Sequence, residues 1–195
     1  MYSLKEMTII QILGKLNLGL ERDGRIELKS CPLDWQKAFE IESARIQDGL
    51  SNSGFKIFHI GSTSIPSILA KPILDILIEA PSLEIIDQSR QELETLGYEY
   101  KGEYGIRGRR YYVLYNLEKT LSFVHIHAFA KGSLEIENHL LFRDYLIAHP
   151  NRATEYQNLK LELTAQSNVT REKYTELKSN LIHEILLEAK KWRKG

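Results

Sequence analysis

The sequence of 195 residues has a single cysteine, Cys31, and no excess of charge, since 26 basic side chains balance 26 acidic ones. One cysteine excludes an internal disulfide bond and indicates a reducing compartment. Zero net charge excludes the broad basic field that holds long nucleic acids. No apolar run approaches the roughly 20 residues that a membrane-spanning helix needs, and the first residues do not resemble a signal peptide. We therefore predict a cytoplasmic protein whose partners are neither membranes nor long nucleic acids.

Neither an internal repeat nor a low-complexity linker divides the chain. With 43% hydrophobic residues, it is expected to bury most of its unfolded surface in one domain. We therefore predict a single domain over residues 1–195. Its first 20 residues are predicted to be a helical appendage, because Leu4, Met7, Ile10 and Leu13 are spaced as on one face of a helix.

Strand and helix patterns alternate along the first two thirds of the chain, and helical patterns fill the last third. This order is typical of an α/β protein with a small mixed sheet covered by helices and a C-terminal group of about three helices. Strands are predicted at residues 25–28, 55–60, 72–79, 98–100, 110–115 and 121–129, and the last two are expected to form a hairpin. Helices are predicted at residues 3–14, 32–51 and 81–96 and, from residue 133 onward, in three segments separated by Pro150 and by a polar break at 166–170.

The segment 59–79 places a polar turn, a lysine and a carboxylate between two apolar runs. Gly61 ends the first strand where the backbone must turn sharply. Ser64 precedes Ile65 and Pro66, so we expect it to cap a short helix. The open N–H groups of that helix, together with the hydroxyl groups of Ser62, Thr63 and Ser64, would suit an anion such as phosphate.

The second strand of this segment carries its acids on one face. Side chains alternate along a strand, so Asp75, Leu77 and Glu79 point to the same side. Asp75 and Glu79 would lie about 13 Å apart along the strand, which is too far to hold one ion between them. Lys71 comes just before Pro72, the predicted first residue of the strand.

Gly61-Ser62, followed by a spacer and by Asp75 in an apolar strand, resembles the signature of the nucleotidyltransferase superfamily. In that superfamily the Gly-Ser turn holds a triphosphate, and strand carboxylates hold magnesium. The longer string HIGSTSIPSILAKPILDIL, which begins at His59, is similar to the GrpB family, a group within the superfamily that is also found fused to some dephospho-CoA kinases. The similarity continues in GIRGRRYY (105–112), VHIHAF (124–129), HLLFRDYLIAHP (139–150) and YTELKSNLI (174–182).

The resemblance implies two alternative functions. One is an enzyme that transfers a nucleotidyl group from a nucleoside triphosphate to a small acceptor, with a divalent metal as cofactor. The other is a module that has lost catalysis and binds a nucleotide, a coenzyme or another anion. The superfamily expects a second acid two residues after the first, and here that residue is Leu77. A single carboxylate makes a weaker magnesium site, which favours the second alternative.

The resemblance also implies roles for individual residues. Residues 61–64 would hold phosphate, Asp75 would hold the metal, and Lys71 or an arginine of the 107–110 loop would neutralise developing charge. Planar guanidinium groups suit phosphate, so Arg109 and Arg110 are candidate phosphate contacts, with a solvated basic loop as the alternative. The resemblance also keeps Lys178 and Arg143 as candidates, with a structural role as the alternative for each. Lys178 lies on the same helix face as Tyr174, four residues earlier.

Two histidines share a strand face further along the chain. Asp75, His125 and His127 would form a two-histidine, one-carboxylate set of the kind that binds a transition metal. Imidazole is a poor ligand for a hard ion, so we expect Mn²⁺ or Zn²⁺ to be preferred over Mg²⁺ if a metal binds. The alternative is a hydrogen-bonded scaffold pair. His59 is expected to pack against the turn, and Arg143 and Asp144 are expected to form a structural ion pair.

Overall fold

A computed structural model describes residues 20–21, 35–52, 54–66, 68–165 and 171–194. The predicted helix at 3–14, the predicted strand at 25–28 and the predicted break at 166–170 lie outside the described residues. The single domain over 1–195 and the appendage at 1–20 therefore stay predictions. No helix within the described ranges is long and apolar enough to cross a membrane.

A mixed β-sheet forms the centre of the fold. Its strands are β1 (Leu20–Glu21), β2 (Lys56–Ile60), β3 (Leu74–Ala80), β4 (Tyr98–Tyr100), β5 (Arg110–Tyr115) and β6 (Leu121–Ala130). The strand order is β2-β3-β6-β5-β4, and the two-residue strand β1 pairs with β6. The neighbours β3 and β6 are parallel, whereas the other strand pairs are antiparallel. The predicted mixed sheet and the predicted hairpin of β5 and β6 are confirmed.

Helices flank the sheet and follow it, as predicted. They are α1 (Trp35–Gly49), α2 (Leu83–Gln88), α3 (Arg90–Thr95), α4 (Leu134–Ala148), α5 (Pro150–Ala165) and α6 (Arg171–Trp192). The helix predicted at 81–96 is divided into two at Ser89, where the serine hydroxyl accepts a hydrogen bond from the side chain of Asn52 at 3.0 Å. Ser82 caps α2 by accepting a hydrogen bond from the Ile85 amide at 3.4 Å. The C-terminal group of three helices is confirmed, and Pro150 begins its second member.

The two faces of the sheet pack against different helices. Leu74, Ile76 and Ile78 of β3, with Val124 and Ile126 of β6, belong to an apolar core that also contains residues of α1, α2 and α3. The opposite face carries Leu77 and Phe129, which pack with residues of α4. Asp75, His125 and His127 lie on this second face, because side chains alternate along a strand. A separate apolar cluster joins α4, α5 and α6 to the segment after the turn.

The turn after β2 differs from the prediction in where its short helix begins. A 3₁₀ helix spans Ser62–Ser64, and Gly61 precedes it with φ 72°. Ser64 is therefore the last residue of the helix rather than its cap, and its hydroxyl donates to the Gly61 carbonyl at 2.6 Å. The reason is that glycine adopts a positive φ without a steric penalty, so the chain turns immediately after β2. The predicted order of strand, turn, short helix and strand is confirmed.

Candidate functional site

The glycine of the turn packs directly against the strand carboxylate. Ile60 of β2 pairs with Asp75 of β3, which places the start of the turn beside that side chain. A Cβ atom added to Gly61 would lie 2.9 Å from Asp75 Cβ and closer still to its Oδ2. Only glycine fits here, because any side chain would collide with Asp75. The turn and the carboxylate are therefore parts of one site.

The three hydroxyl groups of the turn have different partners. Ser64 donates to the Gly61 carbonyl, and Thr63 Oγ1 lies 3.0 Å from His59 Nε2. Ser62 Oγ instead accepts a hydrogen bond from Lys160 Nζ at 3.2 Å. Ser62 is therefore the hydroxyl of the turn that faces a positive charge, whereas the hydroxyls of Thr63 and Ser64 hold the turn together.

Lys160 on α5 is a site residue that the sequence analysis missed. It is only 2% exposed, and its Nζ also donates to the Leu69 carbonyl at 2.6 Å. Burial, reinforced by the charge of Lys178, lowers the pKa of Lys160 to about 7. The available signal was its position in the buried stripe of α5, which also contains Ala153, Tyr156 and Leu163. A lysine at such a position is almost never buried without a compensating partner.

Lys178 on α6 contributes positive charge near Lys160, since its charge lowers the pKa of that lysine. The structure thus brings this predicted phosphate contact toward the turn. The side chain of Tyr174, expected on the same helix face, lies outside the described residues. Two lysines from two helices therefore lie close enough for their charges to interact, and one of them, Lys160, contacts Ser62.

His59 and Arg143 support the turn from either side. The His59 ring stacks on Phe39 with 5.1 Å between ring centroids, and burial lowers the pKa of His59 to about 4. Arg143 Nη1 donates to the His59 carbonyl at 2.9 Å, and its guanidinium group pairs with Asp144 at 2.7 Å. These contacts agree with the predicted packing role of His59 and the predicted ion pair of Arg143 and Asp144.

Asp75 faces both histidines of β6. Its Oδ1 lies 3.5 Å from His125 Nδ1 and 3.8 Å from His127 Nε2, and its side chain is 29% exposed. Burial raises the pKa of Asp75, but hydrogen bonding and charge interactions with the two histidines outweigh burial and hold the pKa below its usual range. Burial also lowers the pKa of His127, although Asp75 opposes this shift. The two histidines therefore favour the ionised form of Asp75, while burial disfavours the protonated form of His127.

Arg109 contacts this cluster from the loop before β5. Its Nη1 lies 3.3 Å from His127 Nδ1, and its guanidinium carbon lies 4.6 Å from the centroid of the Tyr111 ring. Its other donors bind the carbonyl groups of Glu103 at 3.1 Å and Tyr104 at 2.6 Å. Arg109 was predicted to contact phosphate, but in the structure it binds His127 and its own loop. We call Asp75, His125, His127 and Arg109 the carboxylate–histidine cluster.

Two other charged residues, Arg110 and Glu79, form ion pairs outside this cluster. Arg110 lies on the face of the sheet opposite to His127, because it pairs with Ala128 of β6, and it binds Asp87 through two hydrogen bonds of 2.5 and 2.8 Å. Glu79 pairs with Lys56 on β2 at 2.8 Å. Lys71 is half-buried in the segment before β3. The structure thus does not bring the predicted phosphate contact Arg110 to the site.

A divalent metal, which the superfamily resemblance implies, does not fit these side chains as they are arranged. Within the described ranges, no group of three His, Cys, Asp or Glu side chains is placed to hold a metal ion. Leu77 occupies the position of the expected second acid and is fully buried. Arg109 contacts His127 Nδ1 and so places a positive charge beside one of the candidate ligands. Asp75, His125 and His127 as metal ligands therefore remain a prediction from sequence.

Comparison with known proteins gives a consistent family. The chain matches the family described as GrpB protein over residues 25–188. The UPF0157 protein YqkA of Bacillus subtilis is 43% identical over 161 residues, which are 83% of this chain and 46% of YqkA. The chain thus spans about half the length of YqkA.

Among solved structures, the conserved protein GrpB from Enterococcus faecalis aligns with a TM-score of 0.77 and 35% identity, over 87% of this chain and 100% of that chain. The Cid1 poly(U) polymerase aligns over 69% of this chain and 41% of its own, with a TM-score of 0.45 and 18% identity. The second likeness is too distant to carry an argument about function.

Proposed function

The chain belongs to the GrpB family, and we propose that it binds a nucleotide or coenzyme through the phosphate groups of that ligand. The phosphate would lie against Ser62 and Lys160, with Lys178 adding positive charge. Arg109 and Arg110, which sequence resemblance also suggested, are left out of this role because protein groups already occupy them.

The buried amino group of Lys160 is the observation that carries the proposal. None of the ion pairs in the part of the chain that the structure describes involves Lys160. A buried charge is costly unless an opposite charge compensates it. A phosphate oxygen that contacts both Lys160 Nζ and Ser62 Oγ, two groups that lie side by side at 3.2 Å, would supply that charge together with strong charge-assisted hydrogen bonds.

A second candidate function is nucleotidyl transfer from a nucleoside triphosphate to the hydroxyl group of a small acceptor. The contact that favours it is between Asp75 Oδ1 and His125 Nδ1, at 3.5 Å. A carboxylate that orients one ring nitrogen leaves the other nitrogen to take a proton from a nucleophile. The acceptor oxygen would bond to the α-phosphorus as the bond to pyrophosphate breaks, and His125 would receive the acceptor's proton.

Calorimetric titration with nucleoside triphosphates, coenzyme A and inorganic phosphate tests the proposal, each with and without Mg²⁺, Mn²⁺ and Zn²⁺. We expect Lys160→Met to weaken binding of the best ligand at least tenfold, while Lys131→Met, at an exposed lysine, leaves it unchanged. Equal binding by wild type and Lys160→Met would refute the phosphate site. Release of pyrophosphate with an acceptor would select the transferase, and binding without turnover would select the binding module.

The lowered pKa of Lys160 provides a second readout. Because its folded pKa of about 7 lies below the ordinary value of 10.5, the unfolded chain binds more protons than the folded protein between these values. The free energy of unfolding of the wild type should therefore rise between pH 7 and pH 10. Lys160→Met should lack this part of the increase, as urea denaturation at both pH values would measure. A phosphate ligand should also cause proton uptake at pH 8, because it favours the charged amine.

A further inference from the structure

We propose that Arg109 is a positioning residue that holds His127 in the tautomer with its proton on Nε2 and thereby keeps divalent metal ions away from Asp75. The proposal does not depend on the phosphate site, since it concerns only the carboxylate–histidine cluster. It assigns this cluster to proton transfer or hydrogen bonding rather than to metal binding.

The first step follows from hydrogen-bonding capacity. A guanidinium group has five N–H donors and no acceptor. The contact of 3.3 Å between Arg109 Nη1 and His127 Nδ1 therefore requires Nδ1 to be the acceptor. A neutral imidazole that accepts at Nδ1 carries its proton on Nε2. That N–H faces the ionised oxygen Oδ1 of Asp75, 3.8 Å away.

The guanidinium group is held in this orientation by its own loop. The carbonyl groups of Glu103 and Tyr104 accept hydrogen bonds from its other nitrogens at 3.1 and 2.6 Å, and Arg109 is only 5% exposed. The His127 ring is confined as well, because Tyr111 packs 5.2 Å from it and His139 packs 5.4 Å from it. Neither partner is free to turn away without breaking the loop or the packing.

The consequence for metal binding is steric and electrostatic. A metal ion bound by Asp75 and by His127 Nε2 needs that nitrogen to have a free lone pair, so the proton must move to Nδ1. The N–H group at Nδ1 would then oppose an N–H group of Arg109. Metal-bound histidines usually donate this second N–H to a carboxylate or carbonyl group. Here the second partner is a cation, and it repels both the moved proton and the metal.

The ring tautomer can be measured directly in the wild type. Two-bond ¹H–¹⁵N correlation spectra of histidine-labelled protein at pH 8 distinguish the two tautomers, and His127→Asn identifies the signals. We expect the Nε2–H pattern for His127. An Nδ1–H pattern would overturn the proposal without any change to Arg109.

Metal titration provides the second test. The control is Arg110→Met, because Arg110 is the neighbouring arginine but lies on the opposite face of the sheet. Titration with Co²⁺, followed by calorimetry and visible absorption, should give at least tenfold tighter binding by Arg109→Met than by wild type. Arg110→Met should behave as wild type, and the additional substitution His127→Ala should remove the gain. Equally tight binding by wild type, or no gain in a folded Arg109→Met variant, would overturn the proposal. If Arg109→Met does not fold, the wild-type spectra decide.

Discussion

The two faces of the sheet use the same strands for different purposes. On β3, Leu74, Ile76 and Ile78 face α1 to α3 and are almost fully buried, whereas Asp75 on the other face remains partly exposed beside the turn. The first face therefore contributes stability through buried apolar area. The second face positions charged and hydrogen-bonding groups at one end. The strand β3 thus contributes to both faces of the sheet, because its side chains alternate between them.

The faces also differ in how they satisfy buried charge. On the apolar side, Glu42 is completely buried, and it accepts hydrogen bonds from Arg45, including one of 3.1 Å from Nε, and from the Tyr98 hydroxyl. On the site side, Lys160 is bound by a serine hydroxyl and a carbonyl. Glu42 thus has a compensating charge within the protein, whereas none of the ion pairs among the described residues involves Lys160, for which we propose a phosphate ligand.

Glu42→Ala should have the largest effect of the changes that test this comparison. It leaves the Arg45 guanidinium group and the Tyr98 hydroxyl without their carboxylate, and removing one member of a buried pair costs about 3–5 kcal/mol. Urea denaturation should show this loss in the free energy of unfolding. Glu40→Ala, an exposed position on the same helix, should change it by less than about 0.5 kcal/mol. A loss of phosphate binding in folded Glu42→Ala would contradict the proposed difference between the faces, in which Glu42 contributes to stability and not to ligand binding.

Gly61→Val should damage stability and ligand binding together. The new side chain would collide with Asp75 and would require a backbone conformation that costs a β-branched residue about 1–3 kcal/mol. Gly105→Val is the matched control, since Gly105 also has a positive φ but nothing lies within 4 Å of an added Cβ. Thermal denaturation and calorimetry should show a larger loss of stability for Gly61→Val, with binding lost only there. Similar stability losses in both variants would contradict the contact with Asp75.

Ser62→Ala should change binding far more than stability. A hydrogen bond from a serine hydroxyl to a charged phosphate contributes about 1.5–3 kcal/mol, so the ligand should bind about ten- to a hundredfold less tightly. The melting temperature should barely move, because Lys160 keeps its hydrogen bond to the Leu69 carbonyl. Calorimetry with Ser51→Ala as an exposed control would measure the difference. Unchanged affinity would place the phosphate elsewhere.

The sequence was sufficient to predict those features of the fold and of the candidate site that depend on a local pattern of residues. The strand ending at Gly61, the turn, Asp75 in an apolar strand and the paired His125 and His127 were all readable from residue order, because alternation along a strand determines which side chains share a face. The sequence was not sufficient to predict the binding partners of the two arginines. Arg109 and Arg110 are neighbours of the same residue type, yet Arg109, in the loop before β5, binds His127, whereas Arg110, which begins β5, binds Asp87 of α2. The path of the loop and the position of α2, which choose these partners, depend on the fold.

By itself, the sequence determined the order of strands and helices in the described residues, the family and the position of the turn after β2, all of which depend on residues close together in the chain. Only the tertiary structure decided that Lys160 of α5 reaches Ser62, 98 positions earlier, and that Arg109, in the loop before β5, meets His127 of β6. Such contacts depend on how helices and strands pack, and packing is set by many apolar side chains at once. The charges of the candidate site therefore follow from the fold rather than from any one motif.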